Sequence, residues 1–261
     1  MKSMSNVDVF TISDELNKLL TGARVDKSFQ PTNDIVVMRF HVAGKGRVDL
    51  VMQCGKRIHT SQYPLENPTN PPTFPMLLRK RLKGANVVSI TQHNFDRVVE
   101  IKVKKDKFYT IIVELFDKGN IILLDDENNI ILPLKRKHWS TRDISSKREY
   151  IFPSERGINP ITITEYELKE LFANSDSDIV RTLATNGLGS LYAEEIILRA
   201  NEFEDIDKNT PANELSEKEV NSLYKGLKSI FDELTNENYT PQIVKGEKED
   251  VVPINLMQYQ N

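Results

Sequence analysis

The sequence predicts an α+β protein: a mostly antiparallel β-sandwich or barrel-like domain with helices, followed by an all-α domain. Three observations predict it. Strand-like apolar runs separated by turn residues fill positions 35–136, helical periodicity takes over after about residue 164, and a broken stretch, YIFPSERGINPITIT (150–164), stands between them. These changes of pattern set the expected boundaries: a β-rich domain at 1–160, a linker with a helix at 161–176, a second helical domain at 177–236 and a polar tail at 237–261.

The elements follow in order. Ile12, Leu16, Leu19 and Leu20 recur at helical spacing, and Thr21-Gly22 supplies a stop. IVVMRFHV (35–42), RVDLVMQC (47–54) and RIHTSQY (57–63) read as strands, with AGKG (43–46) turning between the first two. The proline-rich PLENPTNPPTFP (64–75) is expected to be extended loop, and MLLRKRLKG (76–84) a short helix closed by Gly84. A second run of strands is expected in 86–105, 107–116 and 120–136, with a hairpin turn at Glu127-Asn128-Asn129. The remainder is helical, and Ser216 followed by Glu219 forms a capping box for the last helix.

Composition narrows the function classes. The 261 residues carry a net charge of −3, yet residues 76–107 hold nine Lys or Arg against three acids, and residues 135–148 hold six against one. Acids gather in EFEDID (202–207) and GEKED (246–250), so a basic surface and an acidic module are expected. The lone cysteine, Cys54, excludes an internal disulfide framework and reads as a buried structural thiol in a reducing compartment. No apolar run is long enough for a membrane span and the N-terminus lacks a signal core, so a cytoplasmic protein is expected. His41, His59, His93 and His138 show no metal spacing, and no hydrolase triad or phosphate loop is present.

Several positions invite a nucleic-acid reading, each beside a plainer one. Gly187-Leu188-Gly189 fits a helix-hairpin-helix, in which two glycines tighten the turn and aim backbone N–H groups at a phosphate. The same glycines also serve a simple helix–helix turn, and Glu194-Glu195 is unfavourable for phosphate. Arg79, Lys80, Arg81 and Lys83 either form a solvated face that complements the helix dipole or join Lys135, Arg136 and Lys137 in a composite patch. Trp139 beside that basic run can stack a base or anchor a strand end.

The dipeptide Asp96-Arg97 stands at the head of an alternating strand pattern. On alternation Phe95, Arg97, Val99, Ile101 and Val103 share one face, so Arg97 is the single polar member of an apolar row. It needs either a rim salt bridge or a rim pocket in which its guanidinium meets a phosphate or base and Asp96 accepts a hydrogen bond.

DELNKLLTGARVDKSFQP, PPTFPMLLRKRLKG, QHNFDRVVEI, IIVELFDKGNIILLD, RTLATNGLGSLYAEEIILRA and DKNTPANEL together resemble, in order, the N-terminal half of the NFACT family. This is the group of RqcH and NEMF, once labelled fibronectin-binding protein A, and RVDLVMQCGKRIHTSQYP and ILPLKRKHWS resemble its archaeal branch. The resemblance implies a formamidopyrimidine-DNA glycosylase N-domain-like fold followed by a helix-hairpin-helix domain, with the tail leading to a coiled coil that this chain lacks. It implies a ribosome-associated quality-control factor that binds large subunits with stalled peptidyl-tRNA. Such a factor recruits charged tRNA, alanine tRNA being the candidate species, for template-free tailing. The ribosome would make the bonds, so no enzyme, cofactor or metal is expected. Asp96 and Arg97 match the family's Asp-Arg pair implicated in tRNA engagement, and Asp8 its early aspartate. Two rivals remain, a DNA-binding glycosylase-like protein and a fibronectin-binding adhesin. The chain begins Met1-Lys2-Ser3-Met4, without the N-terminal proline amine that lesion excision needs.

Overall fold

The computed structural model describes residues 3–139, 141–155, 157–245 and 249–260. The chain divides into a β-rich unit built on Val9–Ser154 and a helical unit built on Glu155–Asn261 together with Ser5–Asp8.

The β-rich unit is built on one antiparallel sheet of nine strands, beside a two-stranded pair of Lys137–His138 with Asp143–Ile144: β1 (Arg24–Thr32), β2 (Ile35–Val42), β3 (Gly46–Gln53), β4 (Arg57–Ser61), β5 (Asn86–Gln92), β6 (Val98–Lys104), β7 (Phe108–Glu114), β8 (Asn120–Leu124) and β9 (Ile130–Pro133), ordered 4-3-2-1-5-6-7-8-9. Alternation drives the layers. In β2, Val36, Met38 and Phe40 are fully buried while Arg39 and His41 face outward. Helices α1 (Asn6–Leu20) and α2 (Thr73–Leu82) cover the inner face, placing Leu16, Leu20, Leu78 and Leu82 against Met38, Leu50, Val99 and Ile111. Burying each such side chain contributes about 1.5–3 kcal/mol. A smaller cluster of Val98, Ile112, Ile122, Ile130 and Tyr150 covers the other face of the later strands.

The sheet curls until the end of β3 meets the β7–β8 turn. Gly55 N donates to Glu114 O at 3.1 Å, and a Cβ placed on Gly119 would lie 1.9 Å from Gly55 N. Only two glycines let these backbones approach so closely. Nearby, the fully buried Glu114 carboxylate accepts hydrogen bonds from Arg142 Nη2 (2.6 Å) and the Tyr150 hydroxyl (3.0 Å).

Three expectations for this unit need correction. β1 has no counterpart among the expected strands, because RVDKSFQPT is charged and a bulge between Val25 and Lys27 breaks its alternation. α2 starts three residues before the expected 76, since Phe74 and Pro75 are buried in its first turn, where a missing N–H costs nothing. Asp96-Arg97 is not in a strand: β6 begins at Val98, and the dipeptide lies in the β5–β6 connection.

The helical unit contains α3 (Glu165–Ala173), α4 (Ile179–Leu183), α5 (Gly189–Ala200) and α6 (Glu217–Thr235). Capping boxes start α3 (Thr164 with Glu167) and α6 (Ser216 with Glu219). Gly226 brings α6 onto α5, where a Cβ would meet Ile196 O at 2.4 Å. Arg199 Nε donates to the fully buried Glu195 at 2.9 Å, and its Nη1 and Nη2 donate to Glu233 Oε1 (2.6 Å) and Asn255 O (3.1 Å). The backbone N–H of Met257 also donates to Glu195, so one buried carboxylate fixes the 255–258 segment to α5. The expected helix-hairpin-helix domain at 177–236 is not what forms. α4 is only a five-residue helix, and a short kink with non-helical backbone at Asn186 and Gly187 separates it from α5.

Candidate nucleic-acid interface

The β5–β6 connection is held from several sides. Asn94 and Phe95 both adopt left-handed φ, 42° and 55°, a conformation that costs a side-chain-bearing residue roughly 1–2 kcal/mol. Phe95 is nevertheless only 4% exposed, with its ring 6.0 Å from that of Phe10. Gln92 Nε2 donates to Asp96 O (2.9 Å), Asp96 N to His93 O (2.8 Å), and Leu115 N to Arg97 O (2.8 Å). The His93 ring stacks on Phe152 at 3.6 Å and bonds Glu100 Oε1 at 2.9 Å. The backbone of the dipeptide is thus clamped while its side chains are half-buried.

Their chemistry differs. Asp96 Oδ1 accepts from the backbone N–H of Arg97 at 2.6 Å, which aims the carboxylate along the loop. The Arg97 guanidinium has no hydrogen-bond or ion-pair partner among the described residues. An unpaired, partly desolvated guanidinium on a fixed backbone is well suited to a phosphate or the edge of a base.

The same end of the sheet carries the 135–137 run, because Leu115 bonds Arg97 and the following turn ends at Gly119, whose carbonyl accepts from Lys137 Nζ at 3.0 Å. Burial lowers the pKa of Lys137, and its ammonium lies 5.2 Å from the Trp139 ring centre. Lys135 pairs with Asp34 and donates to Lys118 O, whereas Arg136 is exposed. Trp139 is 47% exposed, with Arg142 5.7 Å from its ring centre.

The basic end of α2 lies elsewhere. Lys105 Nζ reaches Arg81 O at 3.4 Å, and Asn86 pairs with Lys104, so Lys80, Arg81 and Lys83 sit at the opposite end of the β5–β6 hairpin from Asp96-Arg97. Six residue steps of β5 separate the two ends by roughly 20 Å. Arg79 is turned onto β1, donating to Ser28 O at 2.7 Å over the Phe29 ring. Sequence reasoning missed Lys102, Lys104 and Lys105 as companions of α2, although the alternation EIKVKK carries that signal.

The remaining candidates belong to the helical unit. Asp8 is the third residue of a capping box: Oδ2 accepts from Ser5 N and Ser5 Oγ, both at 2.8 Å, and Ser5 Oγ accepts from Asp8 N. Gly187 and Gly189 take φ of 96° and 72° at the kink and at the first residue of α5. A Cβ on Gly189 would meet nothing within 4 Å, so conformation alone requires glycine there. Among the described residues no three His, Cys, Asp or Glu side chains gather to hold a metal, and no helix is long and apolar enough to cross a membrane.

Known proteins resemble the chain throughout. A family model described as NFACT N-terminal and middle domains matches residues 5–261. The archaeal Rqc2 homolog aRqcH of Methanocaldococcus jannaschii is 42% identical over 99% of this chain and 40% of its own length. The human ribosome quality control complex subunit NEMF is 31% identical over 67% of this chain and 16% of its own. The chain therefore spans well under half of these relatives. Among solved structures, the N-terminal part of the fibronectin/fibrinogen-binding protein from Streptococcus suis superposes with a TM-score of 0.76 at 25% identity, covering 99% of this chain and 93% of that one. The match over 257 of its 261 positions places the chain in the NFACT family, as its N-terminal and middle domains.

Proposed function

We propose that this chain is the tRNA- and large-ribosomal-subunit-binding part of a cytoplasmic ribosome quality-control factor. It recruits charged tRNA, with alanine tRNA the candidate species, for untemplated extension of a stalled nascent chain. The names of its relatives, aRqcH and the quality control complex subunit NEMF, support the pathway. The observation that carries the tRNA role is the half-buried Arg97 guanidinium, unpartnered among the described residues on a clamped loop at the same end of the sheet as Arg136 and Lys137. In this reading the chain makes and breaks no bond. Arg97 takes a phosphate or base edge, Asp96 accepts from a base or ribose, and the ribosome performs peptidyl transfer.

Arg97→Ala and Asp96→Ala test the reading by tRNA binding and thermal melting. A charge-assisted hydrogen bond contributes about 1.5–3 kcal/mol, so tRNA affinity should fall roughly 10- to 100-fold. Stability should change by no more than about 0.5 kcal/mol in Arg97→Ala and by about 1 kcal/mol in Asp96→Ala, which also loses the hydrogen bond from the Arg97 N–H, because neither side chain is packed in the core. Unchanged tRNA affinity with a sharply lowered melting temperature would make the dipeptide a structural pair and remove the reading.

A further inference from the structure

The outward face of β1–β4 concentrates positive charge far beyond what its acids neutralise. Cross-strand register places Arg24, His41 and Arg47 in one row, and Lys27, Arg39 and Asp49 in the next. The β1 bulge between Val25 and Lys27 is what brings Lys27 and Phe29 onto this face. Three cations crowd the half-buried Phe29 ring: Lys27 at 5.3 Å, Arg39 at 5.1 Å and Arg79, from α2, at 5.4 Å. Asp49 is held by Arg39 through two hydrogen bonds, 2.7 and 2.8 Å, and Asp26 is the other acid close to it. Arg24, Lys45 and Arg47 are exposed and have no hydrogen-bond or ion-pair partner among the described residues.

Like charges side by side on a sheet repel. Among the described residues, Arg24, Lys27, Arg39, Arg47 and Arg57 on the strands and Lys45 in the β2–β3 turn outnumber Asp49 and Asp26, an excess that favours a polyanion held across this face. Beside them runs a groove of about 990 Å³ whose walls include Lys45, Arg47, His59 and Tyr63. Tyr63 is 83% exposed, leaving its ring open to a stacking partner. An acidic peptide would use the charges and not the ring, whereas single-stranded RNA uses both.

We propose that the outer face of β1–β4 is an RNA-binding surface for single-stranded RNA, with backbone phosphates on Lys27, Lys45 and Arg47 and a base stacked on Tyr63. The surface is separate from Asp96-Arg97 and stands whether or not that dipeptide engages tRNA.

The test is fluorescence anisotropy of a labelled 20-nucleotide uridine oligomer with the 261-residue chain, titrated with potassium chloride. For single strands each phosphate that the protein neutralises adds about 0.7 to the salt slope, so Lys27→Ala/Lys45→Ala/Arg47→Ala should lower it by roughly 2 and weaken binding at least tenfold. Tyr63→Ala should weaken binding without changing the slope. Lys80→Ala/Arg81→Ala/Lys83→Ala, which removes equal charge elsewhere, should leave oligomer binding near wild type. A wild-type slope and affinity in the β-face triple variant overturns the proposal, as does an equal loss in the α2 triple variant. Failure of the wild-type chain to bind the oligomer at low salt, or binding of polyglutamate as tight as that of RNA, overturns it equally.

Discussion

Gly119→Ala should open the seam that closes the sheet beside the Asp96-Arg97 loop. Gly119 has φ of 56°, which costs alanine roughly 1–2 kcal/mol. Its new Cβ would stand 1.9 Å from Gly55 N and 2.5 Å from both the Cys54 carbonyl carbon and Glu114 O, all backbone atoms that cannot rotate away. The two segments must therefore separate by more than an ångström. That breaks the Gly55 N to Glu114 O bond and disturbs Lys137 Nζ on Gly119 O, each worth about 1 kcal/mol. Overpacking strain of this kind adds about 1–3 kcal/mol. A total of about 4–7 kcal/mol corresponds to roughly 10–20 °C of melting temperature for a unit of this size. The single tryptophan, Trp139, belongs to the same unit, so its fluorescence reports the transition directly. Gly22→Ala is the control: φ is 82° there, but a Cβ meets nothing within 4 Å, so only the conformational cost of about 1–2 kcal/mol should appear. Equal melting temperatures for the two variants would refute the claim that backbone contact, and not φ alone, demands glycine at 119.

Three further outcomes follow from other parts of the molecule. Arg199→Ala leaves the fully buried Glu195 carboxylate without its cation; a loss of about 3–5 kcal/mol should lower the midpoint of the helical circular dichroism signal by roughly 10 °C, and an unchanged midpoint contradicts the buried pair. Burial pushes the Cys54 thiol up to about 11, so native protein at mildly alkaline pH should react with a thiol reagent only as fast as it unfolds; rapid labelling argues against the packing described. Hydrogen bonds from the backbone N–H and hydroxyl of Thr164 hold the Glu167 carboxyl below its ordinary value of 4.5. Its contribution to stability is therefore complete above that value and is lost as pH falls through the lowered one, so the difference in melting temperature between wild type and Glu167→Gln should vanish in acid.

How much of this was legible depended on whether one strand period governed a segment. IVVMRFHV gave β2 to the residue, because its alternation matches a face buried on one side only. RVDKSFQPT hid β1 behind a bulge that changes phase partway, so the basic face of β1–β4 was invisible as well. Asp96-Arg97 was legible as an oddity but misplaced, since the alternation of VVEIKV extends smoothly backward through Arg97 and Phe95. The reversal there uses left-handed Asn94 and Phe95, and without glycine it leaves no compositional mark. The basic runs at 79–83 and 135–137 could be counted but not located: strand direction sends one to each end of the β5–β6 hairpin, and no local pattern records that.

The strain in that loop and the freedom of Arg97 are two parts of one arrangement. A continuous strand through 95–97 would place Arg97 in the apolar row with Val99 and Ile101, where a guanidinium must find a partner or remain buried and unpaired. Turning the backbone at Asn94 and Phe95 takes Arg97 out of that row and still leaves the Phe95 ring in the core at 4% exposure, a burial of about 1.5–3 kcal/mol that offsets the left-handed conformation. Arg97 is left at the rim with its carbonyl fixed by Leu115 and its guanidinium without an internal partner among the described residues. The adjacent acid does not neutralise it, because Asp96 is drawn back to the Arg97 backbone N–H. An acid and a base can therefore stand side by side without forming a salt bridge, each held for a different contact.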